Sequence, residues 1–182
     1  MSGFVLWLTG LSGAGKSTIA ALVERELEQR GVLVERLDGD VVREHLSRDL
    51  GFSKEDRDTN VARIGWVASR VARAGAGVVV SVISPYADGR NRARVLTEEH
   101  VTFVEVYVAT SLQECARRDP KGLYKKAYSG EIPEFTGVSD PYEEPADPEI
   151  RVETEGRTPE ESARIVIARL EELGLLSEEV TV

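Results

Sequence analysis

Apolar positions along this chain fall into two alternating kinds of run. Residues 4–9 are almost continuously apolar and meet glycines at once, as a strand buried on both faces does. Residues 16–30 instead place Ile19, Leu22, Val23 and Leu27 at helical spacing and stop at Gly31. The two kinds then take turns. Strands are predicted over 32–37, 77–83 and 101–108, and helices over 54–74, 88–96 and 111–118. Residues 150–153 read as a short last strand, and 159–173 as an amphipathic helix with Thr158 at its N-cap and Gly174 beyond its end. Such alternation predicts an α/β three-layer sandwich with a mainly parallel sheet of about five strands.

The rhythm breaks between Pro120 and Pro148, a stretch with five prolines and with glycines at 122, 130 and 137. A long non-periodic segment in a compact domain usually serves function, so residues 120–148 are expected to form a lid. No internal repeat or low-complexity tract occurs.

Composition narrows the class. The 182 residues, 41% hydrophobic and 30% charged, suit one domain with its own core. A net charge of −9 argues against a protein that neutralises nucleic acid over a wide face. The acid is concentrated, however: residues 131–182 hold fifteen acidic and four basic side chains, so the first two thirds remain able to handle anions. The single cysteine, Cys115, excludes an intramolecular disulfide framework and is expected as a buried helix thiol in a reducing compartment. No apolar run nears the roughly 20 residues that cross a bilayer, and no signal-peptide pattern opens the chain, so the expected location is the cytoplasm.

The chemistry starts at Gly10-Leu11-Ser12-Gly13-Ala14-Gly15-Lys16-Ser17, which matches G-x-x-x-x-G-K-[ST] between a strand and a helix. Glycines there let backbone N–H groups face phosphate oxygens, and the helix adds the positive end of its dipole. Lys16 reaches the β and γ phosphates and Ser17 ligates Mg2+. A nucleoside triphosphate site follows. An N-K-x-D guanine signature is absent, and the 78–83 strand runs into Ser84-Pro85-Tyr86 rather than into an acid. Acid instead ends the second strand, at Asp38-Gly39-Asp40. Two carboxylates beside a phosphate loop hold Mg2+ or accept a hydroxyl proton; the alternative is a polar turn with Asp40 as N-cap of the next helix. Arg43, Arg48, Arg57 and Arg63 follow as candidates to clamp a second anion.

Taken together, these residues resemble the adenylylsulfate kinase family. The likeness covers most of the chain: GLSGAGKST at 10–18, LDGD at 37–40, DLGFS at 49–53, ISPY at 83–86, RDPKGLYKK at 118–126 and FTG at 135–137. It implies a P-loop kinase that transfers the ATP γ-phosphate, with Mg2+, to the 3′-hydroxyl of adenosine 5′-phosphosulfate. By that resemblance residues Gly10, Leu11, Ser12, Gly13, Ala14, Gly15, Lys16, Ser17 and Thr18 bind the nucleotide, and Ser17 and Asp38 the metal. Lys16, Asp38, Asp40 and Ser84 take the catalytic positions. Asp40, Arg43, Phe52, Arg57, Asn60, Ile83, Ser84, Lys121 and Phe135 take the acceptor, with Phe52 and Phe135 stacked on its adenine. The bland alternative makes both phenylalanines core residues.

The family also carries a phosphoserine intermediate at the position of Ser84; direct in-line transfer is the preferred reading here. It further implies a homodimer, and a sulfate adenylyltransferase as partner or fused domain; Met1 favours a free-standing chain. Two departures stand out. Val41 replaces the asparagine that usually follows LDGD, and Glu44-His45-Leu46-Ser47 replaces the common His-Gly-Leu-Asn. Rival readings are a kinase for another small hydroxylated substrate, and a nucleotide-dependent regulatory module whose acidic last third docks a partner.

Overall fold

The computed structural model describes residues 3–176. Its strands are β1 (Phe4–Thr9), β2 (Val34–Asp38), β3 (Gly77–Ser81), β4 (Thr102–Ala109) and β5 (Ile150–Glu153). They form one parallel sheet in the order β2-β3-β1-β4-β5. The two-residue period of β1 divides the interior into two cores. Phe4, Leu6 and Leu8 pack with Ile19, Val23, Leu27, Val106 and Leu170, while Val5 and Trp7 pack with Ile64, Ala68, Val80 and Phe103. Helices α1 (Lys16–Gln29) and α7 (Pro159–Glu172) cover the first face, α3 (Lys54–Arg73) and α4 (Ala87–Glu98) the second. The three-layer sandwich expected from the alternation is what forms.

Local chemistry sets the helix ends. Gly31, at φ 75, ends α1, and the Val32 amide donates to the Leu27 carbonyl across the turn at 3.0 Å. Thr158 and Glu161 cap α7 reciprocally, with Pro159 in its first turn. Ser53 caps α3 and Ser111 caps α5 (Leu112–Arg118), whose Cys115 is fully buried.

Two short helices lie where no periodicity predicted them. In α2 (Gly39–His45) the N-cap is Asp38 rather than Asp40, because the Asp38 carboxylate accepts from the Asp40 amide. Within the expected lid, α6 (Leu123–Tyr128) is capped by Asp119, which accepts from the amides of Tyr124 and Lys125. The core also claims Tyr124, 2% exposed. Six or seven residues display little helical period, and α2 and α6 lack the clear stop before a proline that marked the equally short α5.

Because β1 lies between β3 and β4, the connections leaving neighbouring strand ends diverge to opposite faces. A crevice opens there at the carboxyl ends.

Candidate active site

That crevice is a cleft of about 710 Å3, and its floor is the loop between β1 and α1. Gly10 sits at φ 153, and a Cβ on it would come within 2.7 Å of the Val108 carbonyl oxygen, so the loop leaves the sheet where only glycine fits. Lys16 is buried; its ammonium donates to the Gly10 (2.9 Å) and Leu11 (2.7 Å) carbonyls. Burial lowers its pKa to about 8, against the opposing pull of Asp38 and Asp40.

Beside it, the Asp38 Oδ2 accepts from the hydroxyls of Ser17 (2.6 Å) and Ser81 (2.9 Å). Burial pushes this carboxyl up, but the hydrogen bonds from Ser17, Ser81 and the Asp40 amide outweigh it and hold the pKa below its ordinary value. An ionised carboxylate touching a hydroxyl at the start of α1 is a donor pair of the kind a hard cation shares with phosphate oxygens.

The far side of the cleft is assembled from separate segments. On α3, Arg57 and Asn60 stand three residues apart, share one face and are both nine-tenths buried. The Asn60 Oδ1 is buried without a hydrogen-bond partner among the described residues, an acceptor left open to a donor from outside them. Phe52, just before α3, is 58% exposed, which excludes the core alternative for it; the Arg43 guanidinium lies 4.4 Å from its ring centroid. Phe135 is half-buried and meets Tyr124 edge-on at 5.0 Å.

The segment expected as a lid is fastened at several points. Arg57 donates to the Phe52 carbonyl (2.7 Å), the Thr136 hydroxyl (2.8 Å) and the Glu134 carbonyl. Lys121 pairs with Asp40 across the mouth. Tyr124 donates to the Ser12 carbonyl at 2.8 Å, tying α6 to the phosphate loop. Gly137, at φ 90, has the Leu11 side chain 2.9 Å from where its Cβ would stand, so glycine lets this segment pack against that loop. Its far end, 140–143, is strapped to the turn after β3: Tyr86 donates to Asp140 (2.7 Å), and the Glu143 amide to the Pro85 carbonyl (2.8 Å).

In that turn Ser84 is buried and left-handed, at φ 41, a conformation that a side-chain-bearing residue adopts only when its surroundings insist. Its hydroxyl oxygen accepts from the Trp7 indole at 3.1 Å.

Every expected site residue lines the cleft except Gly10 and Leu11. Gly10 lies buried beneath it, and Leu11 turns its side chain to the lid, so both act through the carbonyls that hold Lys16. The arginine cluster divides: Arg43 and Arg57 enter the cleft, whereas Arg63 is paired with Asp49 and Arg48 turns back onto the Glu44 carbonyl. Val41 is 55% exposed and does not line the cleft, so its side chain makes no contact there; His45 is exposed. Unforeseen lining residues lie beyond the phosphate loop: Arg118, Thr154, Arg157, Pro159 and Ser162. Arg118 opens the RDPKGLYKK segment, a signal that pointed to Lys121 alone.

A phosphate loop joined in one cleft to an arginine-lined pocket under a lid defines a P-loop kinase. The family model for adenylylsulphate kinase matches residues 2–153. The chain is 52% identical over 180 residues to an adenylyl-sulfate kinase of Rippkaea orientalis, covering 99% of this chain and 98% of that one. It is 56% identical over 174 residues to a probable bifunctional SAT/APS kinase 2 of Sorangium cellulosum, covering 96% of this chain and 29% of that one. Among solved structures, the Mycobacterium tuberculosis APS kinase CysC in complex with AMPPNP and APS superposes with a TM-score of 0.90 at 47% identity, covering 93% of this chain and 98% of that one. This chain belongs to the adenylylsulphate kinase family. It is an ATP-dependent kinase.

Proposed function

We propose that this protein transfers the γ-phosphoryl group of ATP to the ribose 3′-hydroxyl of adenosine 5′-phosphosulfate, releasing ADP and 3′-phosphoadenosine 5′-phosphosulfate. One observation carries the reading. The phosphate loop and the acceptor residues line a single cleft, joined by the β2–α2 turn that bears Asp38 and Asp40.

The chain divides the work as follows. Lys16 and the loop amides neutralise and orient the triphosphate. Ser17 and Asp38 would hold Mg2+, which supplies charge neutralisation at the β and γ phosphates. Asp38 is engaged by Ser17 and Ser81 and would hold the metal, whereas the partner of Asp40 is the exposed Lys121 at the mouth, so Asp40 is the group that orients the acceptor hydroxyl and takes its proton. The bond from γ-phosphorus to ADP breaks as the bond to the 3′-oxygen forms. Arg43 and Arg57 hold the phosphosulfate, Phe52 and Phe135 flank the adenine, and Asn60 accepts from the acceptor. Ile83 and Ser84 form its seat and Lys121 its cover.

Transfer is direct rather than through Ser84. Among the described residues no carboxylate or imidazole hydrogen-bonds the Ser84 hydroxyl, whose oxygen accepts from an indole N–H; nothing there removes its proton.

An ADP-release assay tests the proposal, with ATP, Mg2+ and, as acceptors, adenosine 5′-phosphosulfate, AMP, shikimate or gluconate. ADP and 3′-phosphoadenosine 5′-phosphosulfate should appear together, and only with the first. Turnover with another acceptor alone would keep the kinase and overturn its substrate. ATP binding with no turnover on any of the four would favour the regulatory module.

A further inference from the structure

Arg90, one turn into α4, is 3% exposed and does not line the cleft, yet each of its three nitrogens is held by a different part of the molecule. Nε donates to Glu105 Oε1 on β4 at 2.9 Å. Nη1 donates to the Ser84 carbonyl at 2.7 Å, and Nη2 to the Glu143 carbonyl on the lid at 2.7 Å. A planar guanidinium fixes the angles among its donors, so these three acceptors are held in one relative arrangement that an ammonium cannot reproduce.

We infer that Arg90 is a positioning residue for the acceptor half of the site, pinning the Ser84 turn and the lid strap into a single body. The inference rests on the proposed function and adds a residue to it. Ser84 at φ 41 needs external support. Trp7 restrains its hydroxyl, Thr9 the preceding carbonyl at Ile83 (2.6 Å), and Arg90 its own carbonyl. Two of the three also reach the lid: Arg90 bonds the Glu143 carbonyl (2.7 Å) and Thr9 the neighbouring Tyr142 hydroxyl (2.9 Å), but of these only Arg90 brings a fixed planar fork that also takes the Ser84 carbonyl and a carboxylate of the sheet. The Glu143 carboxylate in turn accepts from the Ala87 amide at 2.7 Å, where α4 begins. The anchor on the other side is rigid: Glu105 lies in the central strand pair, and its own amide donates to Glu149 at 2.7 Å. Arg90 thereby refers the turn at Ser84 and the lid strap at Glu143 to β4, beside the Thr9 link from β1 to Ile83 and Tyr142.

The test compares Arg90→Lys with Glu105→Gln, which perturbs the same ion pair but leaves Arg90 an oxygen to bond. Arg90→Lys should lower kcat/KM for adenosine 5′-phosphosulfate about tenfold or more while KM for ATP stays within about twofold. Glu105→Gln should lower the thermal midpoint yet leave acceptor kinetics within about twofold of the parent. If both variants lose thermal stability with acceptor kinetics untouched, or if Arg90→Lys raises KM for ATP and acceptor alike, Arg90 is structural and the inference fails. Amide exchange on the unmodified protein gives a readout that needs no variant. Added adenosine 5′-phosphosulfate should increase protection at residues 84–87 and at 142–143 together; protection of one segment without the other overturns the pin. A parent protein that forms no 3′-phosphoadenosine 5′-phosphosulfate would instead overturn the functional reading, before any variant is compared.

Discussion

The two halves of the cleft are built on different plans. The nucleotide half is local: one strand, one loop and the first turn of one helix supply Ser12 to Thr18, and Lys16 is bonded to carbonyls five and six residues before it. The half proposed to take the acceptor gathers Asp40, Arg43, Phe52, Arg57, Asn60, Ser84, Lys121 and Phe135 from four stretches of chain, and long-range side-chain bonds fasten it. A local site is preorganised by backbone geometry, whereas a gathered one depends on the groups that hold its pieces in register. Substitutions should therefore act differently in the two halves.

The largest effect is expected at the local half. Lys16→Ala should lower kcat about a thousandfold or more, since it removes the cation aimed at the transferring phosphoryl group, while circular dichroism remains that of the parent. Turnover near the parent rate would dismiss the loop as the catalytic floor. Next comes the gathered half. Arg57→Ala removes a nine-tenths-buried guanidinium that joins α3 to the lid, and should raise KM for adenosine 5′-phosphosulfate about ten- to a hundredfold and KM for ATP far less. Equal increases for both substrates would erase the distinction between the halves.

Solution pH probes the nucleotide half without mutation. With its pKa lowered to about 8 by burial, Lys16 begins to lose its proton near that pH in the free protein, and a bound triphosphate favours the charged form. Bound pKa above free pKa means proton uptake on binding. ATP affinity should be level below pH 8 and fall as pH rises through it, by at most about tenfold per pH unit. Calorimetry near pH 9 in buffers of different ionisation enthalpy should register that uptake; its absence would leave Lys16 charged throughout. The smallest effect belongs to Ser84→Ala, which should retain turnover within about tenfold of the parent if transfer is direct. A folded, substrate-binding but inactive variant would establish the covalent route.

The same division governs what could be read from sequence. The phosphate loop was legible from residues alone, because its spacing, its strand and its helix are contiguous. β1 declared its double burial by an unbroken apolar run. The acceptor half was not legible in that way. Phe52 and Phe135 look like core residues until the fold shows one of them 58% exposed, and only the resemblance to a family pointed at them beforehand. Arg90 carried no signal at all, since a buried arginine in an amphipathic helix declares itself only when Glu105, Ser84 and Glu143 converge on it. Asp38 and Asp40 differ in their partners, since hydroxyls engage the first and leave the second at the mouth, and the roles proposed for them rest on that difference.

The pairing of Lys121 with Asp40 has a consequence of its own. Both side chains are more than half exposed, so their attraction is screened by dissolved ions and contributes little to stability. Each nevertheless has the other as its partner, so the carboxylate beside the phosphate loop is held by an ammonium while both stay open to water. An arriving sulfonucleotide offers both charges something better at once, an anion for the lysine and a hydroxyl for the aspartate. On the proposed role of Asp40, the exchange resembles a latch that a key withdraws by fitting, and it ties the readiness of that carboxylate to the presence of a molecule able to use it.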